Sequence, residues 1–316
     1  MGEGCPNSST QHTDATFWKH NRFEQVEPST TTLDRCANSK SCRNTPDLAV
    51  VPMTVSNIMR LFWVGLAIAA TLNSTSKANE RQPIQAQSGN AFLSASMQAM
   101  QKDPMANPIS LWLDKGTALW TGANRQASCA QCHGPIENNK AHANQFPKWS
   151  LKFKKLINLE DQIVECSQRT SQPYQSLEDA NVLALSALLN QQSQNQAIQL
   201  KPHDSHKEQW QRELNEGAQL FTQRMGRMNL ACTHCHDQNV GKRMQADIIS
   251  PGHPTGFPIF KMSWQSVGSI DRRIRACYSG VQAEIPKPGS RELRQLELFL
   301  KMRAEGMLLD GPSLRR

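Results

Sequence analysis

The sequence predicts an all-α fold in two tandem units, and three repeated features predict it. Cys129-Ala-Gln-Cys132-His133 returns as Cys232-Thr-His-Cys235-His236. A Gly-x-x-Leu-aromatic-Thr pattern precedes each copy, as Gly116-x-x-Leu119-Trp120-Thr121 and Gly217-x-x-Leu220-Phe221-Thr222. One further cysteine follows each copy, Cys166 or Cys277, and then a run that is apolar at i, i+3 and i+4. Aligned on those cysteines, Leu185, Leu188 and Leu189 fall on Leu296, Phe299 and Leu300. Each unit therefore closes with an amphipathic helix. Ser290 supplies the second with an N-terminus and Gly306 with a stop.

Taken in chain order, the first feature is residues 61–72, LFWVGLAIAATL, the only long apolar run. A bilayer span needs about 20 apolar residues, so this run is too short to cross. Arg60 lies before it and Ser76-Lys77-Ala78 after it, the layout of a secretory signal peptide over 53–78 that starts at Met53. Residues 1–52 are polar and rich in Ser, Thr and Asn. They are expected to be a gene-start artefact or a disordered extension; the alternative is a cytoplasmic extension on an uncleaved anchor. The mature protein is expected to begin near Asn79 and to be periplasmic.

The net charge is +8, and +7 over 79–316. Its excess gathers in Arg272, Arg273, Arg275, Arg315 and Arg316. Nucleic acid is not the expected partner; anionic small molecules or an acidic protein face suit this charge better. Of nine cysteines, Cys5, Cys36 and Cys42 precede the mature start and four belong to the repeated motif. Cys166 and Cys277 remain. A disulfide between them is one reading, but their placement as one per unit argues against it.

Cys-x-x-Cys-His is the attachment signal for c-type haem. The two thiols add across the porphyrin vinyl groups, and the histidine supplies the proximal nitrogen to iron. Two motifs imply two haems c per chain, held by Cys129, Cys132, Cys232 and Cys235, with His133 and His236 as axial ligands. A zinc site or a thioredoxin-like pair explains the repeat less well. A helix before the motif and another at the end of the unit resemble class I cytochrome c domains, in which the glycine would let the two helices cross closely. The expected domains are 79–194 and 195–316, and 191–206 reads as a Gln-rich linker with Pro202 and no apolar period.

Methionine is the common sixth ligand, yet no methionine lies between Met105 and Met225. The first unit is left with Cys166 and His142. Cys277 occupies the matching place in the second, where Met244, Met262 and His253 compete. Cys277 also ends the run Asp271-Arg272-Arg273-Ile274-Arg275-Ala276-Cys277. If the run is helical, Arg273 at i−4 shares a face with the thiol. Cations beside a thiol favour its thiolate form and also bind small anions. Cys166 has Glu165 beside it and no such cluster, so the second unit is the expected seat of chemistry.

The chain resembles the SoxA family, the dihaem subunits of the SoxAX complexes of bacterial sulfur oxidation. The resemblance rests on Asn229-Leu-Ala-Cys232-Thr-His-Cys235-His236, on Gly252-His253-Pro254-Thr255-Gly256-Phe257-Pro258 and on Arg273-Ile-Arg-Ala-Cys277. It continues through Gln282-Ala283-Glu284, Gly289-Ser290 and Leu296-Glu297-Leu298-Phe299-Leu300. It implies an L-cysteine S-thiosulfotransferase that oxidatively joins thiosulfate to a cysteine of the carrier SoxYZ and passes two electrons to a soluble cytochrome c. A monohaem subunit, SoxX, would complete the enzyme. By the same resemblance Cys277 ligates iron and carries a persulfide, Arg273 contacts substrate, and Cys166 ligates the first haem. Gln282 departs from the family, which often has an arginine there. The competing readings are a plain dihaem electron carrier and a module bridged by a Cys166–Cys277 disulfide.

Overall fold

The computed structural model describes residues 86–122, 128–170 and 173–316. The expected signal peptide and leading extension lie outside the described residues. In chain order the elements are α1 (Ala95–Lys102), α2 (Ile109–Thr121), α3 (Cys129–His133), β1 (Lys148–Ser150), β2 (Lys155–Ile157), α4 (Leu159–Ser167) and α5 (Ala180–Gln192). They continue with α6 (Lys207–Thr222), α7 (Cys232–His236), β3 (Arg243–Met244), β4 (Asp247–Ile248), β5 (Ile259–Lys261), β6 (Ser266–Gly268), α8 (Ile270–Gly280), α9 (Arg291–Arg303) and β7 (Ser313–Arg315).

Side-chain caps set the helix starts. Asn158 and Asp161 satisfy each other's backbone N–H at the head of α4. Ser269 accepts from the Arg272 N–H at 3.2 Å and so opens α8. Ser290 accepts from the Leu293 N–H at 3.4 Å, where the sequence places the start of α9. Asp179 does the same for α5, accepting from the Asn181 N–H at 2.7 Å.

Two helix crossings organise the molecule, α2 on α5 and α6 on α9. The glycines make both possible. A Cβ at Gly116 would lie 2.5 Å from the Ala184 carbonyl oxygen, and one at Gly217 would lie 2.1 Å from that of Gln295. The predicted contact of the motif-side glycine with the closing helix is present in both halves.

The repeat is closer than the helical pattern alone reveals. An offset of 111 residues, taken from Cys166 and Cys277, carries β1–β2 onto β5–β6, the start of α4 onto that of α8, and α5 onto α9. Both hairpins follow a cis Phe-Pro bond, Phe146-Pro147 and Phe257-Pro258. The expected all-α class needs correction here. The second hairpin is antiparallel and gains a third strand, β7, parallel to β5. Strands of three residues are too short to display a two-residue period, so reading for helical periodicity passes over them.

The linker reading also needs correction. The N–H of Ile198 donates to the Met307 carbonyl, and the N–H of Leu309 donates to that of Gln196, both at 2.9 Å. Ile198 is fully buried. The segment acts as a strap, held by a part of the chain a hundred residues away. One apolar core contains Trp120, Leu185 and Leu188 together with Leu298, Ala304 and Leu309. A second joins Met97 and Ile109 to Phe260, Val267 and Leu314.

Candidate functional site

The second motif forms α7. His234, a variable position of the motif, accepts the Ala231 N–H on Nδ1 at 3.0 Å and steadies the turn. His236 donates from Nδ1 to the Ser250 carbonyl at 2.8 Å. That bond leaves Nε2 as the acceptor, the arrangement of a metal-binding imidazole. Gly252 allows it. Its φ is +77°, and a Cβ there would lie 2.9 Å from His236 Nδ1. Burial lowers the His236 pKa, and Arg273 and Arg303 push the same way, so the ring is held neutral.

Arg303, from α9, locks this loop to the motif. Its Nη2 donates to Asp237 Oδ1 at 2.9 Å and to the Pro251 carbonyl at 3.2 Å. Its guanidinium lies 4.4 Å from the centre of the Phe221 ring.

Cys277, on α8, lies close enough to both motif thiols for its charge to act on them. Burial pushes the Cys232 thiol up to about 11, and the charge of Cys277 adds to the shift. Cys235 is raised by the same two causes in the same order. Two thiols, a neutral imidazole with its outer N–H engaged and a third sulfur nearby form a donor set that fits a covalently attached haem. Cys166 and Cys277 are separate free thiols, which removes the disulfide-bridged module. Of the competing ligands, Met262 packs into the apolar core beside β5 and Met244 is exposed on β3. His253 donates from Nδ1 to the Gln87 carbonyl at 2.9 Å, which leaves its Nε2 an acceptor as in His236, so this contact does not remove it as a competitor.

The three arginines of α8 part company. Arg272 donates to Ser266 Oγ at 3.0 Å and lies over Trp264 at 4.4 Å. Arg275 donates to the Pro286 carbonyl at 2.9 Å. The Arg273 guanidinium has no such tie among the described residues. It lies instead in the field of other cations. Burial lowers the pKa of Lys261, and of Arg315 to about 10, and Arg273 lowers both further. Lys261 and Arg315 are register partners on β5 and β7. An anion would relieve this crowding of positive charge.

The first centre is more open. Cys132 and His133 are exposed on α3. Trp120 donates from Nε1 to the Gly134 carbonyl at 3.0 Å, and its ring centroid lies 5.9 Å from that of His133. Cys166, on α4, accepts from Gln162 Nε2 at 3.3 Å. Burial lowers the Lys148 pKa, and the charge of Cys166 opposes the shift, so β1 lies beside this sulfur. His142 is lowered by partial burial and then by the charges of His133 and Lys148. The local pattern singled out the cysteines, both histidines and Arg273. Ser250, Gly252, Arg303 and Lys261 are added by the structure; of these only Gly252 lay within a stretch singled out beforehand.

Residues 115–198 match the family model described as SoxA/TsdA, cytochrome c domain. The L-cysteine S-thiosulfotransferase subunit SoxA of Pseudaminobacter salicylatoxidans is 31% identical over 234 residues, covering 72% of this chain and 80% of its own. The chain belongs to the SoxA family. The SoxA of Paracoccus pantotrophus is 27% identical over 232 residues, covering 72% of this chain and 78% of its own. The crystal structure of SoxXA from P. pantotrophus superposes with a TM-score of 0.66 at 26% identity, covering 72% of this chain and 86% of that one. A SoxA-family chain with a cytochrome c domain is a haem c protein, and the family is one of thiosulfotransferase subunits.

Proposed function

We propose that this chain is a dihaem enzyme subunit that conjugates thiosulfate to a cysteine of the SoxYZ carrier, with Cys277 and Arg273 at its centre. The observation that carries the reading is an Arg273 guanidinium with no hydrogen bond or ion pair among the described residues, one turn before a thiol whose charge acts on a haem-attachment motif. In the balanced reaction a carrier thiol and thiosulfate form a new S–S bond, releasing one proton and two electrons. Haem c, when bound, supplies the one-electron redox chemistry that side chains lack.

Arg273 presents a planar fork to the sulfonate oxygens. Cys277 and His236 would hold the haem iron, and the family resemblance implies that Cys277 would carry an extra sulfur as a persulfide. His236 is kept neutral and oriented by Ser250. In the first half, Cys129 and Cys132 would attach a second haem, and His133 and Cys166 would ligate its iron. The halves are 79–194 and 195–316. The 61–72 run supports export to the periplasm. SoxX is the partner subunit, as the P. pantotrophus relative was crystallised as SoxXA, and a soluble cytochrome c takes the electrons.

The test is Cys277→Ala in the haem-loaded complex, read by the mass of the carrier and by the visible spectrum. Loss of the thiosulfonate adduct, with a change confined to the second haem's bands, is the expected result. Conjugation at the wild-type rate would reduce Cys277 to a ligand and return the chain to the plain electron-carrier reading.

A further inference from the structure

The two hairpins related by the 111-residue offset have the same backbone plan but different surroundings. In the second half β5 is paired on its outer edge by β7. Its tip residue Met262 is packed into a core, and Trp264 is covered by Arg272. In the first half the sheet stops at two strands, so β1 has an open edge. The tip residues Leu151 and Phe153 are 52% and 39% exposed.

The charges differ as sharply. The first hairpin carries Lys152, Lys154 and Lys155, all exposed, and Lys148, whose ammonium lies over the Phe146 ring. The matching positions in the second are Ile259, Ser263, Gln265 and Ser266, all uncharged. Two of these lysines flank the Phe153 ring, Lys152 at 5.1 Å and Lys155 at 6.0 Å. The neighbouring acid is Glu165, paired with Lys152 and adjacent to Cys166. An apolar tip ringed by lysines therefore sits against the helix that bears Cys166.

We infer that the β1–β2 hairpin is the docking surface for an acidic redox protein, which exchanges electrons with the first haem. This rests on the proposed haem at Cys129, Cys132 and His133. A small apolar contact within a charged rim is suited to brief, electrostatically steered encounters. A sheet edge beside lysines is protected from strand pairing with another chain, so the surface serves recognition by charge rather than by strand addition. A haem held at Cys129, Cys132 and His133 would give up one electron in its ferrous state to an oxidised partner, and no bond would be made or broken.

The probe is the soluble domain of cytochrome b5, an acidic haem protein, titrated calorimetrically against the haem-loaded complex. Binding is expected at low ionic strength and should weaken at physiological salt. The Lys152→Gln, Lys154→Gln, Lys155→Gln triple variant should bind about tenfold more weakly, at about 0.5 kcal/mol per exposed charge. A basic mitochondrial-type cytochrome c should not bind. Equal affinity of wild type and triple variant, or no binding by wild type, overturns the inference. So does hairpin-dependent binding to phosphatidylserine vesicles without cytochrome b5 binding, which would make the finger a membrane contact. Failure of conjugation in wild type would sink the proposed function while leaving the docking measurement standing.

Discussion

Arg273→Ala removes the guanidinium of α8 that has no structural partner among the described residues. Thiosulfate turnover should fall roughly 30- to 1000-fold, the usual result of losing a charged donor from such a site. Both haems should remain attached, which pyridine haemochrome spectra would check. Arg273→Lys should recover only part of the loss, because an ammonium is a point charge without the fork. Arg275→Ala gives the contrast. Its Nε is spent on the Pro286 carbonyl, so it should cost less in turnover than Arg273→Ala; an equal loss would mean that the cluster acts only through its summed charge. Arg273, Cys277 and the motif residues are candidates that sequence alone can offer, because each is a residue type at a fixed spacing. Arg303 is not. It is 66 residues from Asp237 and 52 from Pro251, and only the packing of α9 brings them together.

At the scale of elements, the helix crossings rest on two hydrogen atoms where side chains would otherwise be. Gly217→Ala would drive a methyl to 2.1 Å from the Gln295 carbonyl oxygen, and Gly116→Ala would drive one to 2.5 Å from that of Ala184. Backbone atoms on the partner helix cannot rotate aside, so α6 and α9 must move apart. Each substitution should destabilise by about 1–3 kcal/mol, with the larger loss at Gly217. Urea titration would check this through a lower midpoint at unchanged slope. The helices were readable because a dozen residues give several turns of one period. The three-residue strands were not, and neither was the strap around Ile198, whose hydrogen bonds go to Met307 and Leu309 rather than to neighbours in sequence.

The whole molecule is joined by a buried ionic cluster between the two halves. Arg294, 2% exposed, donates from Nε to Asp161 at 2.5 Å and from Nη1 to Asp271 at 2.7 Å. It thereby ties α4, which bears Cys166, to α8, which bears Cys277. Glu160, Glu297 and Lys301 complete the cluster, and Asn158 donates to Glu297 at 3.1 Å. Burial raises the Glu297 pKa from 4.5 to about 8, despite the opposing charge of Arg294. The folded state thus holds a proton that the unfolded chain releases. Below pH 4.5 both states are protonated and the group is neutral in its effect; between 4.5 and about 8 stability falls as pH rises; above that the loss levels off. The slope from this one group is at most about 1.4 kcal/mol per pH unit. Glu297→Gln keeps an acceptor for Asn158 and should flatten the curve over that window, gaining on wild type as pH rises. Denaturant melts across the range would show it, and parallel curves for the two proteins would refute it.

The strap has a consequence for truncation. Residues 196–198 are fastened by 306–309, and β5 is completed by β7 at the extreme end of the chain. The later segment closes the middle one. Until residues 306–315 are in place, the strap at 196–198 lacks its hydrogen-bond partners, the shared core lacks Leu309 and β5 lacks its parallel neighbour. Truncation before residue 306 should therefore loosen the middle of the protein as well as its end.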